Sequence, residues 1–303
     1  MTLLLLGPPE RARAWRPIFD AVGEELVVGE DAVEDASAIT HLACWTPPAD
    51  LGCYPNLKVV ISTGAGVDQM PPLPPGVMLA RTLAPGIDAM VRDWVLMATL
   101  MLHRDMPRYL EQAGRGEWRT HPPRPASECR VGIMGLGRIG RAAAAPLSSL
   151  GFDVAGWSRS GHPVDKIEVY GHADLVAFLA RTDLLICVLP LTSETRGLIG
   201  ADVFALLPEG AALVHAGRGA QLDMQALRSA LEAGRLRAAM LDVTEPEPLP
   251  QSHWAWTDPR VIITPHTAAE TDAVEGARHA LAVIRATREG TALPGFVDNE
   301  QGY

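Results

Sequence analysis

Val131-Gly132-Ile133-Met134-Gly135-Leu136-Gly137-Arg138-Ile139-Gly140 is the stretch on which the reading of this 303-residue chain turns. Four residues of strand character run into glycines spaced G-x-G-x-x-G, and the residues after them, Gly140 to Leu150, read as a helix. In such a strand–turn–helix the three glycines have separate tasks. Gly135 makes the tight turn, Gly137 leaves bare backbone where a pyrophosphate can approach, and Gly140 lets helix and strand pack closely. The helix N-terminus offers free N–H groups and the positive end of its dipole to phosphate. The spacing alone is a weak signal, and a structural turn is the competing reading. Its place between a strand and a helix makes dinucleotide binding the expected role of Gly135, Leu136, Gly137, Arg138, Ile139 and Gly140.

Outward from the loop the same rhythm continues. Strands are predicted near Val154–Trp157, Leu184–Leu189, Ala212–His215, Ala239–Asp242 and Val261–Thr264, with helices at Asp174–Ala180, Ala201–Leu206 and Asp223–Ala233 between most of them. Before the loop, apolar runs at 3–6, 26–28, 39–43 and 58–62 alternate with helical or turn-like stretches such as Glu10–Val22. The run at 58–62 empties into Gly64-Ala65-Gly66-Val67, at a strand's carboxyl end, where α/β sheets bind ligands. Met70–Gly76 carries four prolines and is predicted as an extended loop; Ile87–Arg104 reads as one helix, and Gly114–Ser127 as a polar connector. A last helix, about Asp272–Glu289, has no strand after it and is expected to pack on the first domain. The expected fold is α/β, with two doubly wound parallel-sheet domains. A Rossmann nucleotide-binding domain (99–271) is inserted into a flavodoxin-like substrate domain (1–98 and 272–303).

Composition narrows the classes. Hydrophobic residues at 48% and charged residues at 20% describe a folded globular chain. The net charge of -10 disfavours a nucleic-acid partner, so an anionic substrate must be met by local positive charge. Cys44, Cys53, Cys129 and Cys187 form no C-x-x-C and have no metal-ligand spacing, so no metal is expected and the sparse thiols suit a reducing cytoplasm. The apolar start, Leu3 to Leu6, lacks a basic flank and meets Gly7-Pro8-Pro9, so it reads as a buried strand rather than a signal peptide. No apolar run approaches membrane-spanning length, and no membrane partner is expected.

The end of the second strand speaks to cofactor choice. Enzymes using NAD carry an acidic residue there for the ribose hydroxyls. This chain has Ser158-Arg159-Ser160 instead, an Arg flanked by hydroxyls that suits a 2′-phosphate, against the reading of Arg159 as a solvated surface residue. NADP(H) is therefore expected in preference to NAD(H), which stays usable. Three further segments follow predicted strands: His215-Ala216-Gly217-Arg218-Gly219, Asp242 to Pro250, and Thr264-Pro265-His266. Reducing a 2-keto acid takes a cation for the carboxylate and carbonyl, a proton donor for the developing alkoxide, and a neighbour that keeps the donor charged. Arg218, His266 and Glu247 supply these in turn. Each alone has a commonplace reading as a surface or loop residue; their joint appearance behind a dinucleotide loop reverses it.

With these residues in place the chain resembles the D-2-hydroxyacid dehydrogenase family over nearly its whole length. The resemblance rests on the Gly135–Gly140 loop, Pro190-Leu191-Thr192 with Thr195, Gly197-Leu198-Ile199 and Leu206 to Ala211. It extends through the Arg218 turn, Glu247-Pro248-Leu249-Pro250 and Thr264-Pro265-His266. Within the family the chain is most similar to the short glyoxylate/hydroxypyruvate reductases, by Cys44 to Pro48, Trp157 to Ser160 and the tail Val297 to Tyr303. The resemblance implies that Arg218 grips the substrate, His266 is the general acid and Glu247, not Glu245, pairs with it. It implies a substrate pocket walled by Trp45, with Gly64, Ala65, Gly66 and Val67 offering N–H groups to the carboxylate. It places Leu189, Pro190, Thr195, Ala216, Gly217 and Asp242 along the cofactor, and it implies a homodimer. The last helix lies close to the end of the sequence, so no added regulatory domain is expected.

Two departures stand out. The Arg218 turn more often reads Asn-x-Ala-Arg-Gly, and here His215 and Gly217 replace the Asn and the Ala. Other readings stay open: a lactate-, phosphoglycerate- or larger keto-acid dehydrogenase, or a dinucleotide-sensing binding protein on the same fold.

Overall fold

The computed structural model describes residues 1–298 apart from Lys166, so the tail signature from Asn299 onward lies outside the described residues. The chain divides into two compact units, residues 1–87 with 270–303, and residues 88–269. The sequence reading placed the divisions at 98/99 and 271/272. The first observed division falls inside one uninterrupted helix, where the residue pattern carries no mark of it.

The first unit begins β1 (Thr2–Leu6), α1 (Pro9–Asp20), β2 (Glu25–Val28), β3 (Ile39–Cys44), β4 (Val59–Ser62) and β5 (Met78–Arg81). Its sheet is parallel, in the order β2-β1-β3-β4-β5, which is the flavodoxin-like order. Strands buried on both faces read as unbroken apolar runs, and Leu3-Leu4-Leu5 and Val59-Val60-Ile61 are such runs. Successive side chains point to opposite faces. Leu3, Leu5, Val59 and Ile61 therefore join one core with Trp15 and Phe19 of α1, while Leu4, Leu42 and Val60 join the other with Leu51, Tyr54 and Leu57.

The second unit carries most of α2 (Pro85–His103), then α3 (Met106–Gly114), β6 (Arg130–Met134), α4 (Arg138–Ser149), β7 (Asp153–Trp157) and β8 (Glu168–Tyr170). It continues with α5 (Leu175–Ala180), β9 (Leu184–Cys187), α6 (Ala201–Leu206), β10 (Ala211–His215), α7 (Met224–Glu232), β11 (Leu236–Leu241) and β12 (Val261–Ile263). Seven parallel strands run β12-β11-β10-β9-β6-β7-β8, the Rossmann order with one strand added. The order reverses between β6 and β9, which pair from Val131–Leu184 to Met134–Cys187. The glycine loop after β6 and the Val188–Pro190 segment after β9 thus leave the sheet side by side, at the switch point where such sheets bind ligands.

The last helix, α8 (Ala273–Glu289), belongs to the first unit, where Ala277, Ala280, Val283 and Ile284 pack into the same core as Trp15 and Phe19. Three elements go beyond the sequence reading. Both β5 and β8 are short edge strands with little buried apolar surface to signal them. The segment 295–297 covers the free edge of β5, where Arg81 N–H donates to the Gly295 carbonyl and Val297 N–H to the Leu79 carbonyl. The third, α3, starts at Met106-Pro107; a proline in the first helical turn forfeits no intrahelical bond and does not break it. Two bounds also shift: β9 ends at Cys187 rather than Leu189, and β11 begins at Leu236 rather than Ala239. Among the described residues no helix is long and apolar enough to cross a membrane.

Candidate active site

The glycine loop has the geometry its residues require. Gly135 sits at φ +103°, a conformation L side chains rarely adopt, and a Cβ on Gly140 would overlap the Gly135 carbonyl oxygen. Gly137 is the N-cap of α4, has no side-chain cap and has open space around its α-carbon. The first turn of α4 therefore keeps its N–H groups for a ligand, which is the fit a pyrophosphate needs. Leu136 lies over Gly156 of β7, where any side chain would collide with it. Arg138 does not point alone into this space: its guanidinium pairs with Asp88 of α2, with Nε 2.9 Å from Oδ2. At the tip of β7, Ser158 N–H donates to the Tyr170 carbonyl and Ser158 Oγ accepts from Gly161 N–H at 3.2 Å. Arg159 and Ser160 are exposed beside it, and no carboxylate stands in positions 158–160.

Beyond β10 the chain turns tightly through Ala216, Gly217 and Arg218. A Cβ on Gly219 would overlap the Thr244 backbone, so the turn lies flat against the segment after β11. Arg218 Nη1 donates to the Gly217 carbonyl at 2.8 Å. Its backbone N–H is held by the Gln221 Oε1 and its carbonyl faces His215 Nε2. His215 is fully buried, and burial pushes its imidazole down to about 4; the same cause lifts the Cys187 thiol to about 12. The Thr195 hydroxyl donates to the Pro190 carbonyl at 2.7 Å and accepts from Thr192 N–H, so it holds the loop after β9 together.

His266 and Glu247 meet. His266 Nδ1–H donates to Glu247 Oε2 at 2.9 Å, and Glu247 Oε1 accepts from Thr244 N–H at 3.0 Å. One carboxylate thereby ties the segment after β11 to the segment after β12. Glu245 is exposed and does not take this place. The His266 side chain is 36% accessible, and among the described residues no hydrogen bond engages its Nε2. The backbone there is strained: His266 has φ +54°, outside the comfortable region for a residue with a side chain. Asp242, buried at the end of β11, holds it so. Its carbonyl accepts from His266 N–H, and its carboxylate accepts from Thr267 N–H, Ala268 N–H and the Thr264 hydroxyl, all within 2.9 Å. Trp94 Nε1 donates in turn to Thr264 Oγ1 at 3.1 Å. Trp94 and the bracing work of Asp242 went unseen in the sequence, because a single Trp on an amphipathic helix reads as core.

In the first unit, Trp45 follows β3 and its ring lies against Gly64, where a Cβ would intrude on it. Ser62 Oγ donates to the Gly66 carbonyl at 2.8 Å, and Gln69 Nε2 donates to the Trp45 carbonyl at 3.0 Å. These bonds hold the Gly66 carbonyl against Ser62 and Gln69. Among the described residues the N–H groups of Ala65, Gly66 and Val67 donate to no protein acceptor. Gln69 is a second residue the sequence reading passed over. No group of three or more His, Cys, Asp or Glu among the described residues is placed to hold a metal.

A Rossmann sheet with an uncapped glycine turn at its switch point defines a dinucleotide-binding protein, and the His266–Glu247 pair at strand ends of that sheet gives it acid–base capacity. Residues 96–268 match the D-isomer specific 2-hydroxyacid dehydrogenase, NAD binding domain family. The chain is 36% identical to glyoxylate/hydroxypyruvate reductase A of Serratia proteamaculans, over 98% of this chain and 93% of that one. Two solved structures superpose with a TM-score of 0.92, each over 100% of this chain and 99% of the other. One is an NADPH-dependent glyoxylate/hydroxypyruvate reductase from Sinorhizobium meliloti in complex with NADP and sulfate, 35% identical. The other is a D-isomer specific 2-hydroxyacid dehydrogenase from Xanthobacter autotrophicus in complex with NADPH and MES, 34% identical. The chain belongs to the D-isomer specific 2-hydroxyacid dehydrogenase family.

Proposed function

We propose that this protein reduces a small 2-keto acid of the glyoxylate or hydroxypyruvate type to the D-2-hydroxy acid, with NADPH preferred over NADH. The observation that carries the reading is the His266–Glu247 pair on a Rossmann sheet with an open glycine turn. The bound dinucleotide supplies the hydride. Gly135–Gly140 and the N-terminus of α4 take the pyrophosphate, and Leu189, Pro190, Thr195, Ala216, Gly217 and Asp242 shape the rest of the cofactor's path. Arg218 binds the substrate carboxylate and polarises the carbonyl, offering a planar fork that an ammonium lacks. His266 Nε2 delivers the proton to the developing alkoxide, and Glu247 at Nδ1 orients the ring. In the first unit, Trp45 and Gly64–Val67 serve the substrate, with the N–H groups of Ala65, Gly66 and Val67 uncommitted. The residues 158–160 favour a 2′-phosphate, since no acid there repels it and Arg159 attracts it.

The same resemblance supports a homodimer, and exposed Met97, Leu100 and Leu110 on α2 and α3 supply apolar surface for one. Free thiols, three of the four buried, agree with a cytoplasmic setting.

One experiment tests the function: oxidation of NADPH and of NADH, with glyoxylate and hydroxypyruvate, by the wild type, His266→Ala and Ser158→Asp. The wild type should favour NADPH, and Ser158→Asp should cut NADPH kcat/KM by about tenfold or more, the worth of a hydrogen bond to a charged group. His266→Ala should lose ~10²–10⁴-fold in kcat, the usual cost of a general acid. Tight NADPH binding with no turnover by the wild type would make the chain a dinucleotide sensor instead.

A further inference from the structure

Gln221 sits in the turn between β10 and α7, fully buried, and its amide joins three pieces of backbone, with the Cys187 thiol also donating to Oε1 at 3.7 Å. Nε2 donates to the Pro190 carbonyl at 2.8 Å and to the Leu189 carbonyl at 3.2 Å, with Thr195 Oγ1 at 3.4 Å. Oε1 accepts from Arg218 N–H at 2.8 Å. On the other side of the same residue, the Arg218 carbonyl lies 2.9 Å from His215 Nε2. A carbonyl only accepts, so this Nε2 carries the hydrogen. Burial keeps the ring neutral, which leaves one hydrogen for that bond. Both backbone polar groups of Arg218 thus end on buried side chains.

Gly217 belongs to the same arrangement. A Cβ there would overlap Gln221 Oε1 and come within 3.0 Å of the Leu189 carbonyl oxygen and 3.3 Å of His215 Cε1. The glycine and the histidine that set this turn apart therefore fit together around the amide. Only a primary amide supplies two donors and an acceptor on one rigid plane at this spot.

We propose that Gln221 is a positioning residue for the reaction: its amide locks the backbone of Arg218 to the Leu189–Pro190 segment, with His215 fixing the other side and Gly217 leaving the room. The inference rests on the reading of Arg218 as the substrate-binding cation and of Leu189–Pro190 as a cofactor segment. Its consequence is that one side chain sets the substrate group and the cofactor loop in register, though it touches neither ligand.

The test is a double-mutant cycle on the full chain, with Gln221→Met, Arg218→Ala and the pair. Gln221→Met keeps the length and removes every hydrogen bond. In the wild-type background it should lower kcat/KM for the keto acid by about tenfold, the weight of one buried hydrogen bond to this backbone. In the Arg218→Ala background, where the guanidinium held in register is gone, the further loss should shrink to under about threefold. An equal loss in both backgrounds would mean that Gln221 only stabilises the fold, and would overturn the proposal.

A second readout does not depend on turnover. Hydrogen exchange of the Arg218 amide should be slow in the wild type and about tenfold or more faster in Gln221→Met. An unchanged Arg218 amide refutes the brace whatever the activity. A wild type that oxidises NADPH with no 2-keto acid refutes the reductase reading, while the exchange result still decides the brace.

Discussion

At the scale of single residues, His266 shows how a site stores strain and spends hydrogen bonds to keep it. A left-handed backbone on a residue with a side chain costs on the order of 1–3 kcal/mol. The Asp242 carbonyl and carboxylate, with three backbone N–H groups on them, hold the segment in that shape. The ring is then aimed by one contact, Nδ1–H to Glu247 at 2.9 Å. The carboxylate fixes the ring's direction through that bond. Glu247→Ala should therefore lower kcat for the keto acid by about tenfold or more, the worth of a hydrogen bond to a charged group, while Glu245→Ala leaves it nearly unchanged. Steady-state rates of the two variants at saturating NADPH check this, and a loss in the wrong variant would reassign the pair. The sequence made Arg218, Glu247 and His266 legible through residue types at strand ends. It could not show that Asp242 spends its carboxylate on the backbone of the His266 segment, because that is a matter of direction rather than of identity.

At the scale of elements, the strand–turn–helix of β6 and α4 depends on close approach. Gly140 lies so near the Gly135 carbonyl that a methyl group cannot enter without moving the helix off the strand. Gly140→Ala should reduce NADPH affinity by about tenfold or more, since the N–H groups of the first helical turn would no longer meet the pyrophosphate. Titration of bound NADPH by its fluorescence measures this directly; unaltered affinity would show that the turn has slack. The helix and strand assignments around this loop were readable because buried parallel strands are continuous apolar runs and helices carry a 3.6-residue period. Edge strands β5 and β8 were not, since they are only four and three residues long and few of their side chains are buried. In the same way α3 was hidden behind a proline that its first turn tolerates.

For the whole molecule, two buried imidazoles carry a pH dependence. His41 in the first unit and His215 in the second are both pushed by burial down to about 4. An unfolded imidazole takes its proton near 6.5, so between about 6.5 and 4 the unfolded chain binds more protons than the folded one. The stability these groups contribute is thus fully present above about 6.5 and is lost as pH falls toward 4, by up to about 3 kcal/mol each. Urea midpoints should be flat from pH 7 to 8 and fall steadily from 6.5 to 4.5. Equal midpoints at pH 7 and pH 4.5 would show that neither ring is as deeply buried as it stands here. The net charge of -10 sets the solubility of the chain but not this slope, to which these two side chains contribute together with His279, also pushed down by burial.

By itself the sequence determined the α/β class and the glycine turn at the switch point, and it singled out the residues proposed for the cofactor's path and for the chemistry. All of these are written in local patterns, where spacing along the chain mirrors a turn, a strand or a helix face. The tertiary structure alone decided which polar groups are spent on holding others: Gln221 on Leu189, Pro190 and Arg218, Asp242 on the His266 segment, and Trp94 on Thr264. Those contacts join residues up to 170 positions apart. No periodicity spans such distances, and a hydrogen bond depends on where two backbones happen to be brought together, which packing settles and residue identity does not.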